Sequence, residues 1–256
     1  STKPQLPPLL KAVGVPEGQD ILAKSVAFAS NAEVGTVFYS ENTSRMEIAV
    51  KLAPEVLANQ AGQMLFAMMI GLGDSIGALA PPEVAVTYQL PGYIMLNRGR
   101  AGLVRIVIDP TVAIGGVPDW MIVSAAIRLK ADESDQQKWV ESAEVEQTTM
   151  EEEGGGFISR TRFVESVSRH FLVWINRWQD DGFQPLHDIW MQRLEPSMPV
   201  DFHGGEQAEW LGLDEDGCAI VKIDGKVKSI FPHEHAVLRD TRRRSRRPRG
   251  RPLRRR

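Results

Sequence analysis

The stretch Trp174-Ile-Asn-Arg-Trp178-Gln-Asp-Asp181-Gly182-Phe183-Gln-Pro185-Leu186-His-Asp-Ile189-Trp190 carries the punctuation that organises the whole chain. Upstream of it, Phe163, Val167, Phe171, Trp174 and Trp178 recur at steps of three and four, which predicts a helix over residues 162–178. Asp181-Gly182 supplies its stop, because glycine tolerates the left-handed backbone that ends helices. Pro185 suits the first turn of a second helix running through Leu186, Ile189, Trp190 and Leu194. Two adjoining helices with indoles on their apolar sides require a large apolar partner.

Working outward, residues 54–79 read as a long helix. Leu57, Ala61, Met64 or Leu65, Met68, Leu72, Ile76 and Leu79 form its stripe, Pro81-Pro82 its stop, and its methionines serve as core filling. Residues 19–29 predict a short helix, and residues 6–18, rich in Pro and Gly, an extended lead-in. Runs at 35–40, 46–52, 83–90, 93–97, 102–108 and 120–129 have strand composition. Beyond the helical pair, 208–213, 219–223 and 227–231 are short strands on turns at Asp216-Gly217 and Asp224-Gly225, the pattern of a small β-barrel. The fold class is therefore α+β: a mixed sheet with packed helices over residues 1–199, a small SH3-like barrel over 200–240, and a disordered tail over 241–256.

The composition is that of a soluble globular protein, 43% hydrophobic and 25% charged. Its net charge of −3 conceals a division. Residues 241–256 hold ten of the 30 Lys and Arg and no acid, leaving 20 basic against 33 acidic side chains, a net of −13, over residues 1–240. Nine acids and one Lys fall in residues 131–156, which end in three glycines and read as an acidic flexible connector. A single cysteine, Cys218, excludes an intrachain disulfide and suits a reducing, cytoplasmic setting. The most apolar stretch, residues 64–72, is far too short to cross a bilayer, so no transmembrane segment is expected. His233 and His235 match no established metal spacing, and no metal site is expected.

Three segments resemble the biotin/lipoate protein ligase family. The helical pair at 174–190 is similar to that family's W…GF.P….W pattern, and 206–221, with Gly212 and Asp216-Gly217, resembles the opening of its C-terminal SH3-like barrel. Residues 91–102, Pro91-Gly92-Tyr93-Ile-Met-Leu-Asn97-Arg98-Gly99-Arg100-Ala101-Gly102, stand where the family has its Trp-Pro-Asn-Asp stretch and following lysine. The resemblance implies chemistry in which ATP activates a vitamin carboxylate as an acyl-adenylate that passes to a lysine on a carrier domain, with ATP and Mg as cofactors only if that reaction is retained. It places the ligand pocket at Arg45, Pro91, Gly92, Tyr93, Asn97, Arg98, Gly99, Arg100, Ala101, Gly102 and Arg128, with Arg100 in the position of the catalytic lysine and Arg105 beside it.

The chemistry-bearing positions depart from the family pattern. The Gly-Arg-rich nucleotide loop is reduced to Asn42-Thr43-Ser44-Arg45, and the Gly-x-Gly-x-Asn strand end becomes Ser124-Ala125-Ala126-Ile127-Arg128. Losing one positioned charge stabiliser typically slows such reactions by about 10²- to 10³-fold. The reading is thus a ligase-like protein with a degenerate site, binding an acyl or vitamin-type ligand or a carrier protein; Tyr93 and Leu90 are expected to fill the cleft. An active ligase or acyltransferase is the first alternative. The second is a nucleic-acid-associated regulator, since Arg247-Pro-Arg249-Gly250-Arg251 resembles an AT-hook core that lies in a narrow minor groove. An Arg tail attracted to acidic surfaces or nucleic acid, and a homodimer, are further expectations.

Overall fold

The computed structural model describes residues 3–113, 115–132, 146–195, 200–201 and 207–232. In chain order these form β1 (Lys11–Val15), α1 (Ile21–Phe28), β2 (Thr36–Ser40), β3 (Arg45–Leu52), α2 (Ala58–Ala61), α3 (Met64–Leu79), β4 (Val86–Gln89), β5 (Tyr93–Leu96), β6 (Gly99–Ile108) and β7 (Met121–Arg128). Then come α4 (Arg160–Asp181), α5 (Gln184–Gln192), β8 (Val200–Asp201), β9 (Gln207–Leu213), β10 (Ala219–Ile223) and β11 (Lys226–Ile230). A seven-stranded sheet has the order β1-β2-β3-β7-β6-β5-β4, and β8 to β11 make a second, four-stranded antiparallel sheet. Only β1 and β2 are parallel in the large sheet. β1 lies within what the sequence presents as an irregular lead-in; its flanking prolines mask a strand only five residues long.

Alternation assigns each sheet face. Val37, Ile48, Val50, Ile94, Val104, Val123, Ala125 and Ile127 point into the main core with α3, α4 and α5. The opposite face carries a smaller cluster, Val15, Phe38, Ala49 and Ile122, covered by Ile21 and Ala29 at α1.

Helix α3 departs from a one-sided stripe: every residue from Met64 to Gly73 is buried. It lies between the sheet and the α4–α5 pair, so it needs no polar side. The run Ala58–Leu79 is long and apolar enough to cross a membrane by length and composition, longer than residues 64–72 alone. Here 78% of its apolar window is buried inside the protein, the behaviour of a core helix. α4 can approach closely because Gly71 has no side chain; a Cβ there would lie 3.1 Å from the Phe171 backbone nitrogen.

The signature at 174–190 joins the layers. Trp190 is fully buried, edge-on to Phe66 at 5.3 Å between centroids and 6.3 Å from Trp210 of the small sheet. Trp178 donates its indole N–H to Gln63 Oε1 (2.6 Å), and Gln63 Nε2 donates to the Asp216 carbonyl (2.8 Å). Gly217, at φ +85, sits in the adjoining turn against the Phe66 and Phe183 rings. Asp74 accepts from the Trp174 indole (2.8 Å) and from Arg193 (3.1 Å), and Arg193 donates to the Tyr88 hydroxyl (3.0 Å).

The acidic stretch is a mixed case. Residues 133–145 of the expected connector lie outside the described residues, while Thr148, Thr149 and Met150 near its end are buried. Backbone bonds explain this: Arg100 N–H donates to the Glu146 carbonyl (2.9 Å), and Met150 N–H to the Arg128 carbonyl (3.0 Å). His233, His235 and the whole tail, including Arg247, Arg249, Gly250 and Arg251, lie outside the described residues.

Replacing Trp190 by Ala removes the ring shared by both sheets and α3, and should cost about 3–5 kcal/mol, read as a lowered urea midpoint. A pH effect follows from Tyr88, whose phenol burial pushes from 10.0 up to about 12. The fold favours the protonated phenol, so its contribution is complete below pH 10 and is lost as pH rises toward 12. Cys218, pushed up by burial to about 12, adds to the same alkaline loss. Unfolding free energies measured from pH 9 to 12 should therefore decline more gently in Tyr88→Phe than in the parent.

Candidate functional site

Away from α1, the second face of the large sheet holds a groove whose floor is β7. Ser124 and Ala126 are its small central residues. Ala126 stands between Leu103 of β6 and Glu47 of β3, and Ser124 between Arg105 and Ala49. Arg128 lies directly opposite Arg45. Neighbouring strands are about 4.8 Å apart, so the β3 and β6 residues that flank β7 stand roughly 10 Å from each other. Leu103, Arg105, Ala126, Arg128, Arg45 and Glu47 are all partly exposed, so solvent reaches this face.

The ends of the groove are built differently. The α1-covered cluster with Phe38 and Ile122 closes one. The other is bordered by the segment from Glu146 to Met150, bonded to the backbones of both Arg100 and Arg128. Arginines outnumber acids along the walls, which favours an anionic ligand. Glu47 accepts from Arg45 at 3.3 Å, and the two side chains are only 15% and 18% exposed.

The predicted site residues divide into three groups. Arg45 and Arg128 are brought together as the sequence suggests, and Arg105 joins them on the same face. Arg100 is on this face too but is only 5% exposed. Its Nε and Nη2 donate to Gln89 Oε1 (3.1 and 2.9 Å), and its guanidinium lies 4.1 Å from the centroid of the buried Tyr93 ring. The planar fork and the aromatic stack hold that charge within the wall, a geometry unlike a mobile lysine ammonium. Leu90, expected with Tyr93 to fill the cleft, is buried in the main core on the other side of the sheet.

The remaining predicted residues shape the β5–β6 hairpin. Asn97 (φ 45) and Arg98 (φ 76) make its turn. Asn97 Oδ1 accepts from Ala85 N–H (2.9 Å) while its amide donates to Glu153 (2.9 Å). Arg98 is turned outward, 71% exposed in its side chain and 3.8 Å from Glu195, so it does not converge with the groove arginines. Pro91 follows a cis peptide bond, Ala101 is buried in the core, and Gly92, Gly99 and Gly102 permit close packing on Val104, Thr148 and Ala126.

The β2–β3 link is a closed turn. Asn42 Oδ1 accepts from the Ser44 N–H (2.7 Å) and hydroxyl (2.6 Å), and the Ser44 carbonyl accepts from Leu129 N–H (2.9 Å) and Lys130 N–H (3.1 Å). Asn42 and Ser44 are both buried. Glu47, Leu103 and Gln89 escaped the sequence reading; alternation from Arg45 along β3 is the signal that locates Glu47. Among the described residues no group of three or more His, Cys, Asp or Glu could hold a metal ion.

The chain resembles a biotin protein ligase-like protein of unknown function from Silicibacter sp. TM1040, 29% identical, with a TM-score of 0.77 over 91% of this chain and 98% of that one. The biotin protein ligase of Aquifex aeolicus shares the fold at 14% identity, with a TM-score of 0.65 over 86% of this chain and 95% of that one. A biotin–[acetyl-CoA-carboxylase] ligase of Paracoccus denitrificans is 21% identical over 175 residues, 67% of this chain and 71% of the relative. Residues 6–192 match the description of one family throughout, and the chain belongs to the biotin/lipoate A/B protein ligase family.

Proposed function

We propose that this chain is a biotin/lipoate protein ligase-like protein with a degenerate site. Its groove binds an acyl or vitamin-type ligand, or the modified lysine of a carrier domain, without standard ATP-dependent ligation. The observation carrying this reading is Arg100: the charge at the family's lysine position is 5% exposed and committed to Gln89 and Tyr93. A charge that stabilises an adenylate must meet the phosphate as it reacts. The Asn42–Ser44 turn adds support, because it bonds to itself and offers a triphosphate no cradle. The residues present do not fit ATP, and no step through ATP or Mg is assigned.

What remains suits a carboxylate on an apolar body. Ala126 and Leu103 provide a short apolar floor and wall, and Arg105, Arg128 and Arg45 provide cations. The Paracoccus relative is named for acetyl-CoA carboxylase, which makes a biotin carrier domain the partner to try first. The same reading assigns the second sheet to an SH3-like barrel over 200–240, the Arg tail at 241–256 to attraction by acidic surfaces or nucleic acid, and the chain to the cytoplasm.

Pyrophosphate exchange with ATP and biotin, lipoate or octanoate should stay at the blank level. Exchange well above it would establish an active ligase and overturn the reading. In calorimetric titrations at least one of the three acids should bind, and Arg105→Ala should weaken it by about 10-fold, the loss of one charge-assisted contact.

A further inference from the structure

The cations of the groove stand at two stations. At the first, Arg45 of β3 and Arg128 of β7 are direct cross-strand partners. Side chains of such a pair start about 5 Å apart, and like charges placed so destabilise a sheet. Glu47 answers Arg45 at 3.3 Å, whereas among the described residues no acid is paired with Arg128. Asp132, past the end of β7, accepts from the Ser44 hydroxyl (2.7 Å). The second station is Arg105, which stands beside Ser124. Ser124 and Arg128 are four residues apart on one strand, so the stations are separated by about 13 Å. Between them lie Ala126 and, on the β6 side, Leu103. Arg100 makes no third station, since Gln89 and the Tyr93 ring hold its guanidinium.

We propose, resting on the reading above that the groove binds an acid, that its ligand is an α,ω-dicarboxylate of medium length. One carboxylate meets Arg105, the methylene chain crosses Ala126 against Leu103, and the second carboxylate sits between Arg128 and Arg45. The arrangement selects by charge and by span. A monocarboxylic acid held at Arg105 would set an apolar chain end against the two opposed guanidinium groups and leave their repulsion unanswered. A second carboxylate there accepts from both arginines, and charge-assisted bonds of this kind are the strong ones. A short diacid carries the same two charges but reaches only one station. In extended suberate the carboxyl carbons stand about 9 Å apart by ordinary carbon–carbon geometry. The partly exposed side chains of Arg105 and Arg128 have the length and freedom to close the rest.

Calorimetric titration of the full chain with suberate, monomethyl suberate, octanoate and succinate separates these features. Suberate should bind about 10-fold more tightly than octanoate or its own monomethyl ester, the gain from one added charge-assisted contact. Succinate should bind no better than octanoate. In Arg128→Gln the ratio of suberate to octanoate affinity should fall close to one. The comparison within the parent needs no variant, so it holds if Arg128→Gln fails to fold. Octanoate binding with suberate no tighter overturns the inference and leaves the proposed function standing. Absence of suberate binding also overturns it, and the proposed function falls with it only if biotin, lipoate and octanoate all fail to bind. Succinate matching suberate, or an unchanged ratio in folded Arg128→Gln, contradicts the two-station arrangement.

Discussion

Helix α3 has no water-facing side over most of its length, and the large sheet, α4, α5 and the small sheet are arranged around it. Its Met64–Gly73 half cannot be left uncovered without exposing Phe66, Met68, Met69 and Ile70 together. The sheet covers one side and the α4–α5 pair another, drawn close by Gly71. The turn at Asp216-Gly217 brings the small sheet against Phe66 and Phe183. Polar contacts at the seams, such as Trp174 to Asp74 and Trp178 to Gln63, fix how these covers are oriented. Each buries a donor with its acceptor, which avoids the penalty of leaving either unmet.

Committing one sheet face to α3 leaves the other for function. α1 is only eight residues long and covers one part of that face. The part it leaves has small side chains on β7 and longer, mostly basic ones on β3 and β6. Around that part the chain is closely hydrogen-bonded. The β2–β3 link bonds to itself, the β5–β6 hairpin stacks Arg100 beneath Tyr93, and the end of the acidic stretch is stitched to both flanking strands. On the function proposed above, these contacts suit an acid better than an acyl-adenylate.

Much of the fold was legible because its signals were local. The Phe163-to-Trp178 stripe, the glycine at 182 and the proline at 185 mark α4 and α5 to within a few residues. Tertiary facts were less legible. Nothing in the spacing of residues 54–79 distinguishes a one-sided stripe from a helix buried all round, since that depends on what packs against it. β1 was hidden by its prolines, and the ordering of Thr148 to Met150 depends on backbone partners about 20 to 50 residues away in sequence. The pairing of Arg45 with Arg128 could be anticipated from strand register, whereas the inward turn of Arg100 required Gln89 and Tyr93 to be placed first.

The account stands or falls on whether the groove accepts an acid but gains nothing from an attached nucleotide. Calorimetry comparing biotin or octanoate with the corresponding non-hydrolysable acyl-adenylate asks this directly. With Arg100 held against Tyr93 and the Asn42–Ser44 turn bonded to itself, the account predicts that the adenylate binds no tighter than the acid. Tightening by about 100-fold or more, equivalent to roughly 2.7 kcal/mol from the nucleotide, would contradict it.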